Sequence, residues 1–304
     1  MHKEAAKGMF KKEYLGRTVV TIFGMLMIAV TFIIGVFLAY RGLGTFFQYH
    51  HTLGEFLFSA DWNPADDFTG GGTVGAAVFI VGSLTTCLLA LAIAVPFSLA
   101  SAIFITEISP KFGTLFFQPA IEIFVGIPSV VYGWVGLSVL VPAIRKAFHQ
   151  PMGYGVLAAG IVLAVMIFPS ITTVAADAIR SVPQSYREAA YGMGSTRWQV
   201  VRRIVVPNAM PGILTGVILG LARAFGEALA VAMVIGQMKA FPTSIFSPTA
   251  NLTATIAADM GGAAEGGEYN TALWTMALLL FAISLFFIFL VHVVSSRKEK
   301  AHEN

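Results

Sequence analysis

Two ionisable side chains interrupt an apolar stretch of this sequence, residues 211–237. Arg223 and Glu227 are four residues apart, so on a continuous helix they would share one face. Arg223 would lie ~18 Å into the stretch. Each charge costs roughly 2.5–3.5 kcal/mol at the centre of a membrane helix. Two interpretations follow: the two side chains neutralise each other, or the guanidinium of Arg223 meets a crossing anion whose binding Glu227 keeps loose.

A second apolar stretch, residues 114–143, carries polar side chains beside a predicted break. Pro128 removes a backbone donor, so Gly126-Ile127-Pro128-Ser129 is expected to be the sharpest interruption of any span. Glu122 would lie ~12 Å into the membrane, where it either pairs with an arginine or faces a wet cavity. The hydroxyl of Ser129 either meets an anion or packs within the kinked helix.

Other kinds of chemistry find no support in the sequence. The six histidines show no ligand spacing, and the single cysteine, Cys87, provides neither a disulfide framework nor a metal cluster. Gly70-Gly71-Gly72 lacks the Gly-Lys-Ser/Thr of a nucleotide-binding loop, so it is expected to be a flexible connector. No nucleophile–base constellation is visible, and the chain is not expected to be an enzyme.

The composition indicates a chain that lies mostly in lipid. Hydrophobic residues make up 57% of the 304, charged residues only 12%, and the mean hydropathy is +0.78. A soluble domain of this size would carry about 25% charged residues on average. Apolar stretches of about 20 residues cross a bilayer as helices, so an all-helical membrane protein with six spans is predicted. The spans are placed at residues 18–40, 74–104, 114–143, 155–177, 211–237 and 271–294.

The distribution of basic residues predicts the orientation of these spans. With the N-terminus inside, fourteen lysines and arginines lie in inside segments and four in outside segments. Inside loops of membrane proteins carry the excess of positive charge, so both termini are predicted to be cytoplasmic. The chain then divides into residues 1–70 with the first span, a membrane domain at 71–297, and a cytoplasmic tail at 298–304.

Residues 181–207, called the loop segment below, join the fourth and fifth spans on the predicted cytoplasmic side. Ser181 and Ser195 are expected to cap two short helices, and Gly194 is expected to end the first of them in the left-handed conformation. The small side chains of Ala189 and Ala190 would let this pair of helices approach the groove of a partner closely.

The loop segment resembles the signature of ATP-binding-cassette (ABC) importer permeases. The match comprises Glu188-Ala189-Ala190, Gly194, Ile204 and Pro207 in register, with Val206 in place of the usual leucine. In that family this loop is a coupling helix that docks on a cytoplasmic ATPase. The resemblance implies that these residues couple the chain to such an ATPase, which binds ATP and Mg²⁺, and that the chain itself holds no cofactor.

Most of the chain is similar, more narrowly, to the C-type permease subunit of phosphate importers. Three segments carry this similarity: Ile127–Gly133, Glu188–Gly194 and Leu221–Ala228. It implies the type I ABC importer permease fold, a homologous A-type permease as partner, two copies of a cytoplasmic ATPase and an extracytoplasmic phosphate-binding protein. Phosphate and membrane lipid are then its other contacts, without nucleic acid. The candidate residues of the substrate pathway are Arg223, Glu227, Glu122 and Ser129.

Two alternatives remain open at this point. Within the same class, the cargo is another oxyanion such as sulfate or molybdate, because a guanidinium does not read chemical identity. From a different class, an ion-coupled secondary transporter would use Glu122 or Glu227 as a proton relay and would need no ATP.

Overall fold

The computed structural model describes the backbone of residues 2–302 and the side chains of residues 16–294. Within that part the chain is mostly helical, with one two-stranded antiparallel sheet. The predicted tail at 298–304 and the N-terminal lysines that contribute to the predicted orientation have their side chains outside the described residues.

The helices are α1 (His2–Gly42), α2 (Gly44–Phe47), α3 (Leu53–Phe58), α4 (Ala77–Ile103), α5 (Pro110–Phe112), α6 (Gln118–Gly126), α7 (Ser129–Val135), α8 (Val141–Ala147), α9 (Val156–Arg180), α10 (Gln184–Gly192), α11 (Arg197–Val200), α12 (Val206–Gly226), α13 (Leu229–Val234), α14 (Leu252–Asp259) and α15 (Glu268–His302). The paired strands are β1 (Trp62–Asn63) and β2 (Thr73–Val74). Segments of π-helix lie at Phe104–Ile108, Gly113–Phe117, Gly136–Leu140 and Val201–Val205.

Six helical segments are long and apolar enough to cross a membrane, as predicted. They are Gly16–Phe47, Ala77–Ile108, Ser129–Ala147, Val156–Arg180, Arg197–Gly226 and Glu268–Val294. The third does not run unbroken over 114–143, because Ile127 and Pro128 are extended and separate α6 from α7. The fifth begins earlier than predicted, at Arg197, and its helix ends at Gly226 rather than at residue 237.

The centre of the bundle is α9, which packs against both α4 and α12. Glycine permits the close approach of these helices: a Cβ added at Gly220 would lie 2.6 Å from Cγ1 of Ile171. Membrane helices commonly associate through such small residues. Large apolar side chains of α1, among them Phe23 and Phe32, are instead exposed, as expected for a helix that faces lipid.

Counting spans along the chain places the loop segment at one end of the bundle, the loop end, and the β-hairpin at the other, the hairpin end. At the hairpin end the carboxylate of Glu268 is fully buried. It accepts hydrogen bonds from the backbone N–H of Ala65 at 2.6 Å and from those of Gly71 and Gly72, each at 3.0 Å. The expectation that the glycine triplet is a flexible connector is therefore wrong, because the spans bring a distant carboxylate to it.

His51 lies between two carboxylates at the hairpin end. Its Nδ1 is 3.1 Å from Oε2 of Glu55, and its Nε2 is 2.9 Å from Oε1 of Glu268. Burial alone lowers the pKa of His51, but the hydrogen bonds to Glu268 and Glu55 outweigh burial and raise the pKa above its ordinary value. A charged cluster thus helps to hold the hairpin end together.

Candidate coupling and translocation site

The loop segment folds into two short helices, α10 and α11, but neither begins at the serine that the sequence suggests. α10 follows Pro183 without a side-chain cap, and Ser181 Oγ instead donates to a backbone carbonyl of α9. α11 follows Thr196, which forms a capping box with Gln199. The prediction of caps at Ser181 and Ser195 is therefore wrong, by one residue in the second case.

The residues of the importer signature divide into an exposed and a buried set. Gly194 has φ +81°, the predicted left-handed conformation, and a Cβ there would meet nothing within 4 Å. Glu188, Ala189 and Gly194 are exposed, whereas Ala190 is 1% exposed and packs inside the chain. The expectation that both alanines face a partner is wrong for Ala190, because α10 buries one side against the bundle.

The last two positions of the signature lie where the loop segment becomes the fifth span. Ile204 is half-buried in the π-helical segment and packs against the apolar cluster that contains Ala190. Pro207 is exposed near the start of α12, and it has no N–H to bond the preceding turn. Despite this proline, α11, the π-helical segment and α12 form one continuous helix, Arg197–Gly226. The loop segment is thus directly continuous with a membrane span.

The apolar stretches predicted as the third and fifth spans, residues 114–143 and 211–237, are each broken, after Gly126 and after Gly226. The shorter helices that follow the breaks, α7 and α13, pack against each other. A Cβ at Gly133 would lie 2.8 Å from Cα of Ala230, so glycine is what allows this contact. Irregular backbone at membrane depth persists where it is packed in protein or lines a wet cavity, and discontinuous helices are typical of transporters.

Arg223 lies on α12, three residues before the break, and is half-buried. Its Nη1 donates to Oγ of Ser170 on α9 at 2.8 Å. None of the ion pairs formed by described side chains includes Arg223. The guanidinium is therefore held by a neutral hydroxyl and keeps its charge and other donors for a further group. No pattern in the sequence points to Ser170, since nothing local relates two positions that are 53 residues apart.

Glu227 does not share a helical face with Arg223, contrary to expectation. α12 ends at Gly226, and Glu227 is extended with φ −78° and ψ 119°. Its Oε1 accepts a hydrogen bond from the backbone N–H of Ala230 at 3.2 Å, and its backbone carbonyl accepts one from Thr253 Oγ1 at 2.8 Å. Within the described side chains, the carboxylate therefore stabilises the start of α13 instead of neutralising Arg223.

Glu122 is exposed on α6 and lines a cavity of about 120 Å³. Gln118 Nε2 donates to Glu122 Oε1 at 3.3 Å, and Arg180 Nη2 donates to Gln118 Oε1 at 3.3 Å. Of the two environments that the sequence left open, the structure shows the cavity; among the described side chains Glu122 forms no ion pair with an arginine. Ser129 is the half-buried first residue of α7.

These features define a class: a multi-pass helical membrane protein with broken spans and a helical loop continuous with one of them. Residues 94–300 match the family of binding-protein-dependent transport system inner membrane components. The chain belongs to this family, and it is a permease subunit of the ABC transporter class that lies in the inner membrane.

Curated relatives agree with this family over most of their length. The probable ABC transporter permease protein YqgH of Bacillus subtilis (strain 168) is 46% identical over 287 residues, which cover 94% of this chain and 92% of the relative. The phosphate transport system permease protein PstC of Haemophilus influenzae is 35% identical over 266 residues, which cover 81% of this chain and 82% of the relative.

Solved structures of similar shape are ABC importers. A chain of a bacterial alginate ABC transporter, in complex with a periplasmic protein that holds an alginate pentasaccharide, matches with a TM-score of 0.59 at 19% identity. The match covers 91% of this chain and 94% of that one. A chain of the inward-facing MetNI methionine ABC transporter matches with a TM-score of 0.52 at 21% identity, covering 71% and 96%. The type I ABC importer permease fold is thereby confirmed.

Proposed function

We propose that this chain is the transmembrane permease subunit of an ATP-driven importer that carries inorganic phosphate across the cytoplasmic membrane. One observation carries the proposal: the continuous helix Arg197–Gly226 begins in the loop segment and includes Arg223. A movement imposed on the loop segment therefore reaches a guanidinium within a membrane span along one helix.

The motor in this proposal is a separate ATPase, present in two copies, that binds ATP and Mg²⁺ and docks on the exposed part of the loop segment. Glu188, Ala189 and Gly194 are exposed. The carboxylate of Glu188 takes part in none of the ion pairs of the described side chains. It is therefore available to a cationic group of the ATPase. Ala190 and Ile204 support this surface from within the chain, and Pro207 lies exposed where the loop segment enters the fifth span.

The cargo is phosphate because the chemistry of Arg223 suits it and because curated relatives at 34–36% identity are named phosphate permeases. A guanidinium offers a planar fork of donors that matches phosphate oxygens. A conduit must also release what it binds. A single guanidinium, itself bonded to the hydroxyl of Ser170, would bind phosphate only weakly. High affinity then belongs to an extracytoplasmic phosphate-binding protein.

The pore in this proposal forms with a homologous A-type permease, and both termini of the chain are cytoplasmic. Large apolar side chains of the third span, such as Trp134 and Val139, are exposed, and they are available to the second permease or to lipid. Glu122 and Ser129 lie on either side of the break in that span. They line the pathway together with Arg223 and Glu227.

The experiment is phosphate uptake by proteoliposomes that contain both permeases and the ATPase, with the binding protein on the outside. We expect uptake that requires ATP and the binding protein and that a large excess of sulfate or molybdate does not reduce. Strong competition by either anion would favour another oxyanion as the cargo. Uptake without ATP, lost when Glu122 or Glu227 is changed to glutamine, would favour a proton-coupled carrier.

A further inference from the structure

Glu107 lies at the loop end of the second span, in the π-helical segment that follows α4. Shortly after it, the chain leaves the helix at Ser109 (φ −140°, ψ 71°) and enters α5. Only 10% of the Glu107 side chain is exposed. A carboxylate at this burial needs a cationic partner, because an unpaired buried charge is strongly unfavourable.

That partner is Arg187, which directly precedes the exposed Glu188 of the loop segment. Nη2 and Nε of Arg187 lie 2.8 and 3.3 Å from Oε1 of Glu107, and the arginine side chain is 11% exposed. The same guanidinium donates to the backbone carbonyls of Val182 and Ile179, at 2.5 and 3.0 Å. It thus fastens α10 to the ends of both the second and the fourth spans.

The second short helix of the loop segment is fastened to the same residue. Arg197, the first residue of α11, donates from Nη2 to the backbone carbonyl of Glu107. Beyond Glu107 the chain folds back on itself, so that a Cβ at Gly113 would lie 2.7 Å from Cα of Ile105. It then continues through α6 into the broken third span. Glu107 is therefore where both loop helices meet the second and third spans.

We propose that Glu107 is a positioning residue through which a movement of the loop segment reaches the second and third spans. This route is parallel to the helix Arg197–Gly226, which reaches the fifth span. The inference rests on the proposed function, since it needs a motor docked on the loop segment. Buried ion pairs are weak evidence of stability, but Arg187 of α10 bonds both the second span and the end of the fourth, and these bonds fix the relative orientation of the three segments.

The first test compares Glu107→Gln with Lys111→Gln in the complete complex in proteoliposomes. Both changes remove one charge at the loop end, but Lys111 is exposed and forms none of the ion pairs of the described side chains. We expect Glu107→Gln to retain the ATPase and its hydrolysis of ATP, while phosphate carried per ATP falls about tenfold. Lys111→Gln should match the parent. Unchanged phosphate per ATP in Glu107→Gln would overturn the inference.

A second variant keeps the test decisive if Glu107→Gln fails to assemble. Arg197→Gln removes one bond to Glu107 without leaving a buried charge unpaired, since Arg197 is exposed. We expect a smaller loss of phosphate carried per ATP, about threefold. If Arg197→Gln carries as much phosphate per ATP as the parent, Glu107 is not the shared attachment point of the two loop helices.

A distance measurement separates positioning from simple stabilisation. Cys87 is the single cysteine, so in a Cys87→Ser background spin labels can be placed at the exposed positions of Ser185→Cys and Lys111→Cys. With Glu107 present, the distance between the labels should stay the same when ATP is added, because both move together. With Glu107→Gln the distance between the labels should shift and its distribution should broaden when ATP is added. An identical response to ATP with Glu107 and with Glu107→Gln would contradict the inference.

The outcome also distinguishes this inference from the proposed function. A parent complex that takes up no phosphate with ATP contradicts the proposed function itself. A parent complex that transports, and whose coupling and label distances are matched by Glu107→Gln, contradicts only the role of Glu107.

Discussion

Each end of the bundle contains a buried glutamate that joins segments distant in sequence, but the two carboxylates are held differently. Glu268, at the hairpin end, accepts hydrogen bonds from backbone N–H groups that include those of Gly71 and Gly72. Glu107, at the loop end, is held by the long side chain of Arg187. The backbone donors hold Glu268 within one end of the bundle, whereas Arg187 joins a loop helix to Glu107 so that a movement of one is passed to the other. The comparison indicates a rigid clamp at one end and a joint at the other.

The largest expected effect comes from the loop end, in Gly194→Asp. A non-glycine residue at φ +81° is strained by about 1–2 kcal/mol, and the carboxylate adds charge to the surface proposed for docking. We expect phosphate uptake to be abolished while the isolated ATPase still binds ATP. Uptake in proteoliposomes and nucleotide binding to the ATPase are the two measurements.

The matched control is Gly192→Asp. Gly192 is also exposed with open space around it, but it lies in α10 and has no positive φ. We expect this variant to retain most of the uptake. If both variants are equally inactive, added charge rather than the conformation of Gly194 is responsible. If both are active, the loop end is not the joint.

The next effect concerns Arg223, near the end of the continuous helix Arg197–Gly226. Arg223→Gln removes the positive charge but retains a donor for Ser170. Since hydrogen bonds to charged groups contribute about 1.5–3 kcal/mol, uptake should fall roughly 10–100-fold without loss of assembly, and Arg223→Lys should restore part of it. Co-purification with the ATPase reports assembly. Unaltered flux in Arg223→Gln would remove this residue from the pathway.

At the hairpin end we expect an effect on stability instead of transport. Glu268→Gln leaves the backbone donors and His51 facing a neutral amide, which should destabilise the fold by about 3 kcal/mol. The control is Glu265→Gln. The side chain of Glu265 is 82% exposed, so the loss of its charge should leave Tm unchanged. Thermal unfolding in detergent measures both. Equal Tm values for the two variants would contradict the clamp.

A smaller effect should depend on pH. The folded-state pKa of His51 is raised, so the protonated pair contributes stability that is fully present below the ordinary value of about 6.5 and is lost as pH rises through the raised value. We expect Tm to fall by about 2–4 °C across that window. His51→Gln should abolish this dependence, while His50→Asn, a change at the exposed neighbour, should preserve it.

The smallest effect concerns the start of α11. Thr196→Ala removes the capping box and should cost about 1 kcal/mol, measurable as a small fall in Tm. Ser195→Ala should change stability by less than about 0.5 kcal/mol. A larger loss of stability in Ser195→Ala than in Thr196→Ala would identify Ser195 as the cap.

Several features that depend on neighbouring residues follow from the sequence, although the helix caps expected at Ser181 and Ser195 do not. The six spans follow from apolar length, the break at 126–128 from Pro128, and the conformation of Gly194 from its place after a short helix. Each of these signals lies within a few residues of the feature it predicts.

Features that depend on distant contacts were missed. No proline near Gly226 marks the end of α12 in the sequence. A hydrogen bond from Thr253 to the backbone carbonyl of Glu227 holds Glu227 outside the helix. The bond between Ala65 and Glu268 joins positions 203 residues apart, and Glu107 and Arg187 are 80 residues apart. No local pattern encodes such pairs, and only the packing of the spans brings them together.

The central claim is that the loop segment receives mechanical work from a separate ATPase. The most direct measurement is the initial rate of phosphate uptake by proteoliposomes of the complete complex, with ATP and no ion gradient, and then with an ion gradient and no nucleotide. We predict uptake in the first condition and none in the second. Uptake driven by the gradient alone would contradict the account.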